Sequence, residues 1–359
     1  MTGEGIRVAF YTDSETLGGA EQALATLVGN LSDEFEVTVV AVSPEILGAV
    51  AAAPSGAERR LLPPVRAPWD VRAIATHFSL LRELRPDVFH AQGSSPWVCE
   101  YGLAAAVTTP GVRAISVVQS PSPSSRWRER ALLKLTARRI AAYVAPGRRS
   151  ARELEAVAGL ERGSVTVVHN GVEDVRVTPA PRPTEAPLVG WIGRLAREKG
   201  VDVLLAALAE LPGVTALLVG DGPERGTLEA LVARLGIGER VIFAGWQAEP
   251  RAFLHALDVF CLPSRSEAFP LAILEAMLAE IPVVASDVGS VEEAVSENTG
   301  LLVQPEDPRA LASAIRRLLE SPDERRRLGE AGRALVLDRY TGAAMARAYE
   351  KLYKRVLAT

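Results

Sequence analysis

Short runs rich in Val, Ile and Leu alternate with helix-period segments along nearly the whole chain. The runs 6–11, 36–42, 88–92, 114–119, 142–145 and 165–168 read as strands, with helical patterns between them such as 20–31, 71–84 and 130–140. A second series follows at 188–192, 215–219, 241–244, 259–262, 282–285 and 300–303. Strands separated by helices must run parallel, so each series should form a sheet covered on both faces. Four prolines within 178–187 make a stiff, extended linker between the series. The expected organisation is a domain over 1–177, the linker, and a second domain over 188–342. A last helix over 343–359 should return to the first domain on its Tyr349, Leu352, Tyr353 and Val356 stripe. The fold class is therefore α/β, with two Rossmann-like, doubly wound domains of similar size facing across a deep cleft. Ligands of such sheets bind outside the carboxyl ends of the strands.

Composition narrows the setting. A length of 359 residues accommodates two domains, and no apolar run is long enough to span a bilayer. The start of the chain reads as entry to a strand rather than as a signal peptide. Cys99 and Cys261 are too few and too isolated for a disulfide framework or a metal cluster, so a cytoplasmic setting is expected. A net charge of −4 gives no basic field for nucleic acid. Arg126, Arg130, Lys134 and Arg138 fall four residues apart and form one basic stripe if the segment is helical. The stripe is either a solvated face or a peripheral contact with the anionic inner face of a membrane.

Three segments carry chemistry. Glu267 and Glu275, separated by seven residues, flank Pro270, which suits the first position of a helix. Glu267 should lie in the loop above a strand end and Glu275 inside the following helix. The helix N-terminus between them offers N–H groups to an anion, and carboxylates accept hydrogen bonds from vicinal hydroxyls. Arg194 and Lys199 bracket a loop after the first strand of the second domain, either as a solvated basic loop or as a clamp for two phosphates. Lys199 is one of only four lysines among 40 basic residues, which hints at a required point charge. Gly18-Gly19 opens a helix after the first strand, where backbone can approach a ligand closely. Gly220-Asp221-Gly222-Pro223-Glu224-Arg225-Gly226 misses the dinucleotide-binding spacing and reads as a tight turn. His169-Asn170-Gly171 reads first as a turn, and Asp13-Ser14-Glu15 lacks the further ligands a metal would need.

These residues together resemble the retaining GT-B glycosyltransferases of family 4. The likeness covers nearly the whole chain and is strongest over 188–303. It implies transfer of a hexose-type sugar from a nucleotide diphosphosugar, with UDP the expected nucleotide, to a glycan, lipid-linked or small-molecule hydroxyl. It further implies that no metal or other cofactor takes part, the nucleotide sugar being a substrate. Arg194, Lys199 and Glu267 take the catalytic roles in this likeness. Gly18, Gly19, Gln119, Gly193, Trp246, Gln247, Ala268, Phe269, Pro270, Leu271 and Glu275 line the donor. Glu275 would hold the ribose, Glu267 the sugar, the backbone from Phe269 to Leu271 the sugar and diphosphate, and Trp246 and Gln247 the base. The chain departs from the family's pattern at Gln119, where the family often has His, and at Glu280, where it usually has Gly. Ser290 and Glu292 replace a Gly and a Pro. Other readings at this stage are a sugar phosphorylase or epimerase of the same architecture, or a nucleotide-sugar binder without activity. A nicotinamide oxidoreductase fits worst, because the glycine spacing is wrong.

Overall fold

The computed structural model describes residues 5–52, 56–121 and 137–359. The chain divides into two compact units. One comprises the chain up to Glu173 together with Gly342–Thr359, and the other is Asp174–Thr341. The proline-rich run 178–187 lies inside the second unit. There Ala180 N–H donates to Ala252 O, and Arg182 donates to Ala256 O and pairs with Asp258 at 2.7 Å.

In the first unit the described strands are β1 (Ile6–Thr12), β2 (Phe35–Ala41), β3 (Glu58–Leu61), β4 (Val88–Gly93), β5 (Arg113–Val118), β6 (Ala142–Ala145) and β7 (Thr166–Val167). They form one parallel sheet in the order β3-β2-β1-β4-β5-β6-β7. Helices α1 (Gly19–Asn30), α2 (Pro44–Val50), α3 (Val71–Leu84), α4 (Glu100–Thr108) and α5 (Arg148–Ala158) cross between strands. Winding outward from β1 in one direction and from β4 in the other puts the topological switch point between those two strands. The inner strands are largely apolar because helices cover both faces: Val8, Ala9, Phe10 and Tyr11 of β1 are all buried.

The second unit repeats the plan. Its strands are β8 (Leu188–Ile192), β9 (Thr215–Val219), β10 (Val241–Gly245), β11 (Val259–Leu262), β12 (Val283–Ser286) and β13 (Gly300–Val303). They run parallel in the order β10-β9-β8-β11-β12-β13, so the switch point falls between β8 and β11. Its helices are α6 (Val201–Ala209), α7 (Arg225–Leu235), α8 (Leu271–Leu278), α9 (Pro308–Glu320) and α10 (Pro322–Arg339). The final helix, α11 (Gly342–Leu357), belongs to the first unit. Its Tyr349, Leu352, Tyr353 and Val356 are buried against Val8, Phe10, Leu24 and Leu27. Within that core the His90 ring bonds the Tyr353 hydroxyl at 2.7 Å and the Gln92 amide at 3.2 Å. Gln92 then donates to Ala20 O at 3.0 Å, in the first turn of α1.

Two elements differ from the sequence expectation. β3, with the sequence Glu-Arg-Arg-Leu, lacks an apolar run because it is an edge strand with exposed side chains. The short helix α2 starts at Pro44 behind Ser43, whose side chain accepts from Ile46 N–H. Of the helix expected over 130–140, residues 130–136 lie outside the described residues.

Glu280 follows α8 with φ 60, the left-handed backbone that the sequence implied. Its contact with Arg333 is long, 3.6 Å, and largely exposed, so it contributes little. Glu280→Gly is therefore expected to raise stability by about 1 kcal/mol, read as a higher midpoint in thermal or urea unfolding.

Candidate active site

The switch point of the second sheet positions the acid and basic segments together. The loop after β8 carries Gly193 to Lys199, and the loop after β11 carries Pro263 to Glu267. Lys199 Nζ donates to Glu267 Oε1 at 2.7 Å. Ser264, fully buried, donates its hydroxyl to the same oxygen at 2.8 Å. The Glu267 side chain is 8% exposed and that of Lys199 27%, so the pair sits in a recess with the ammonium toward solvent. A carboxylate held by an ammonium and a hydroxyl acts as an acceptor with fixed orientation.

Three glycines let these loops approach. Gly200 has φ 63, and a Cβ there would lie 2.0 Å from Pro263 O. Gly289 has φ 53, and its Cβ would lie 1.6 Å from Glu267 O. Ser290 N–H then donates to Ala268 O at 2.9 Å, tying the loop after β12 to the Glu267 segment. Gly220, with φ 130, backs directly onto Gly193: a Cβ on it would meet Gly193 O at 1.8 Å. Leu195 N–H donates to Asp221 O at 2.9 Å, so the Gly220–Pro223 turn braces the basic loop, which accounts for its spacing. Arg265 completes the frame with two bonds to Asp202, at 2.8 and 2.7 Å, and one to Glu306 at 2.9 Å. That Arg265 contact holds the Asp202 carboxyl below its ordinary range.

Helix α8 starts one residue later than expected. Pro270 occupies the N-cap with φ −77 and ψ 127, and Leu271 is the first helical residue. The proline ring fixes φ at a value that suits both positions, and only ψ separates them. Pro270 has no N–H, so the helix start presents the amides of Leu271, Ala272 and Ile273, with no side-chain cap on them. Ala268 and Phe269 are buried, and the Phe269 ring packs at 5.1 Å on Tyr340. Glu275, one turn further in, accepts no side-chain hydrogen bond among the described residues. Burial raises its pKa, with Arg251 pulling it down and Glu249 pushing it up. A raised folded-state value means that its contribution to stability is full below the unfolded pKa and is lost as pH rises through the folded one. Glu275→Gln is thus expected to be at least as stable as the parent chain at neutral pH, with the advantage vanishing in acid. Thermal unfolding of both proteins across that range checks it.

The other expected residues lie outside this pair. Arg194 pairs with Glu198 at 2.8 Å, is largely exposed, and does not join the Lys199–Glu267 pair. Trp246 follows β10 and is 75% exposed, while Gln247 donates to Ala244 O at 2.8 Å. Gly18, Gly19 and Gln119 belong to the first unit. Gly18 N–H donates to Glu21 Oε2 at 2.9 Å, and a Cβ on Gly19 would meet nothing within 4 Å. Gln119 and Asn170 exchange amide hydrogen bonds of 3.2 and 2.9 Å, which fixes the Gln119 side chain without an ionisable group. Arg126, Arg130 and Lys134 lie outside the described residues, and Arg138 is exposed. No helix among the described residues is long and apolar enough to cross a membrane.

Two doubly wound parallel units in tandem, with an acid–base pair at the switch point of the second, define the GT-B class. A family model described as Glycosyltransferase Family 4 matches residues 17–176, and one described as Glycosyl transferases group 1 matches residues 177–335. The chain belongs to the group 1 glycosyltransferase family. It is 35% identical over 194 residues to the lipopolysaccharide core biosynthesis glycosyltransferase LpsE of Rhizobium meliloti, covering 52% of this chain and 57% of that one. It is 34% identical over 242 residues to the 2-deoxystreptamine glucosyltransferase of Streptomyces kanamyceticus, covering 61% and 62%. The matches thus span little more than half the length of these relatives. Among solved structures, Anabaena Alr3699/HepE in complex with UDP shares the fold, with a TM-score of 0.83 and 22% identity over 97% of this chain and 100% of that one.

Proposed function

We propose that the protein is a hexosyltransferase that moves a sugar from a nucleotide diphosphosugar, UDP-linked by expectation, to an acceptor hydroxyl with retention of anomeric configuration and no metal. The observation that carries this reading is the Lys199–Glu267 pair at the switch point, beside the uncapped start of α8. Lys199 keeps two further N–H donors for a diphosphate, and the helix start adds neutral ones. Both stabilise the charge that grows on the leaving phosphate, where one preorganised contact is worth about 3 kcal/mol. Arg194 joins them by exchanging Glu198 for phosphate, a small loss because the existing pair is exposed.

In this mechanism the bond from the anomeric carbon to the phosphate oxygen breaks first, leaving an oxocarbenium-like ring. The acceptor oxygen bonds to the carbon on the same face, and its proton passes to the departing phosphate oxygen. Glu267, held by Lys199 and Ser264, orients a sugar hydroxyl and needs no proton of its own. Glu275, without a side-chain hydrogen bond among the described residues, is suited to a ribose diol. Glu275→Gln is expected to weaken UDP binding about tenfold while leaving the fold intact. The reading takes the protein as cytoplasmic, supported by Cys99 and Cys261, both buried and in no disulfide.

The test is slow hydrolysis of UDP-, GDP- and ADP-sugars by the full chain. Mass spectrometry follows the released sugar, and proton NMR follows the anomer formed first. Release of the same anomer as in the donor supports the proposal. Release of the opposite anomer contradicts retention, and no release from any donor contradicts transfer.

A further inference from the structure

Helix α10 runs antiparallel along α8, the helix whose start carries the uncapped amides of Leu271, Ala272 and Ile273. Two glycines of α10 set the depth of contact at the C-terminal end of α8. A Cβ on Gly329 would meet Glu280 O at 2.1 Å, and one on Gly332 would meet Met277 Cγ at 3.0 Å. Glycine weakens a helix interior, so two of them three residues apart mark a close approach between the helices. Beside them Arg333 donates to Leu278 O, in the last residue of α8, and is itself anchored by Asp174 at 2.7 Å. The terminal carbonyls of a helix carry partial negative charge, which a guanidinium satisfies.

Tyr340 ends α10 and holds the other end of α8. Its N–H donates to Val336 O at 2.8 Å. Its ring packs on Phe269 at 5.1 Å, and its hydroxyl donates to Glu293 O at 2.8 Å. Phe269 stands directly before Pro270, the N-cap of α8. Glu293 closes the short turn Val291–Glu293, which follows Ser290 and its 2.9 Å bond to Ala268 O. Tyr340 and Phe269 are both buried. A buried aromatic pair keeps a defined geometry, and a buried tyrosine hydroxyl needs the partner that Glu293 O supplies. One side chain therefore fixes both the segment that enters α8 and the loop tied to it. Charge stabilisation depends on where donors point, and a shift of about 1 Å can cost about 10²-fold.

We propose that Tyr340 is a positioning residue for the diphosphate: it fixes Phe269, and through it the direction in which the first amides of α8 point. Gly329, Gly332 and Arg333 hold the far end of the same helix, so α10 acts as its splint. The inference rests on the donor reading for the ligand and on these contacts for the residue.

Titration calorimetry with UDP and ligand-detected NMR with uridine, both on the full chain, test it. Uridine lacks the diphosphate and reads the base and ribose contacts alone. Tyr340→Leu is expected to weaken UDP about tenfold and uridine less than about twofold. Tyr340→Phe keeps the ring on Phe269 and should restore UDP affinity to within about threefold of the parent chain. Phe269→Leu trims the same contact from its other side and should show the same selective loss, which keeps the test open should Tyr340→Leu not fold. Leu328→Ala, at a buried core position of the same helix, should lower the melting temperature without changing the ratio of the two affinities. A ratio unchanged in Tyr340→Leu and Phe269→Leu overturns the positioning role, as does an equal change of ratio in Leu328→Ala. Where the parent chain binds UDP, either result removes that role alone. Absence of UDP binding by the parent chain removes the donor reading and the role with it.

Discussion

Lys199→Ala is expected to lower donor turnover by about 10²–10³-fold, the loss typical when one preorganised charge-stabilising donor is removed from an active site. The same substitution has a structural cost. It leaves the nearly buried Glu267 carboxylate with Ser264 alone, and an under-compensated buried charge costs about 1–3 kcal/mol. The two effects separate in a cycle. Adding Glu267→Gln to Lys199→Ala removes the stranded charge and should restore most of the lost stability. Turnover should stay low, because the cation that meets the leaving phosphate is still missing. Recovery of turnover together with stability would reduce Lys199 to a structural partner of Glu267. Urea unfolding and steady-state donor hydrolysis on the parent chain and the two variants give both readings.

Gly289→Ala is expected to be the most damaging small substitution in the second unit, costing about 3 kcal/mol or more. The new methyl would need to occupy a point 1.6 Å from Glu267 O, on a backbone with φ 53. Relief requires moving either the loop after β12 or the Glu267 segment, and the Ser290–Ala268 bond joins the two. Displacing Glu267 also breaks its contacts with Lys199 and Ser264, so UDP affinity should fall along with the melting temperature. Gly213→Ala provides the control. That residue also has positive φ, 79, but a Cβ there meets nothing within 4 Å. Its cost should stay near 1 kcal/mol, the backbone contribution alone, with UDP affinity unchanged. Similar losses in both variants would show that steric closure around Glu267 is not what the glycine provides.

The fold was legible because its signal is local. Leu188–Ile192, Thr215–Val219, Val259–Leu262 and Gly300–Val303 are the strands read directly from apolar runs, since strands covered on both faces cannot hide among polar residues. β3 escaped for the opposite reason: its side chains face solvent at a sheet edge. The acids and the lysine of the site were legible as residue types at suggestive spacing. Their joining was not. Lys199 meets Glu267 across 68 positions, and that meeting depends on Gly200, Ser264 and Gly289, none of which signals its role locally. Arg265 lies beside Glu267 in sequence, yet its partner Asp202 is 63 positions away. Arg194 pairs with Glu198, four residues on, a local contact that the basic loop does not announce by itself. Gln119 likewise gains its meaning from Asn170, 51 positions distant.

The most direct measurement is calorimetric titration of UDP into the full chain and into the Lys199→Ala and Glu275→Gln variants. A UDP-sugar site built on these residues predicts saturable binding to the parent chain and affinity reduced about tenfold or more in each variant. Equal UDP affinity in all three proteins, or none in the parent chain, would contradict it.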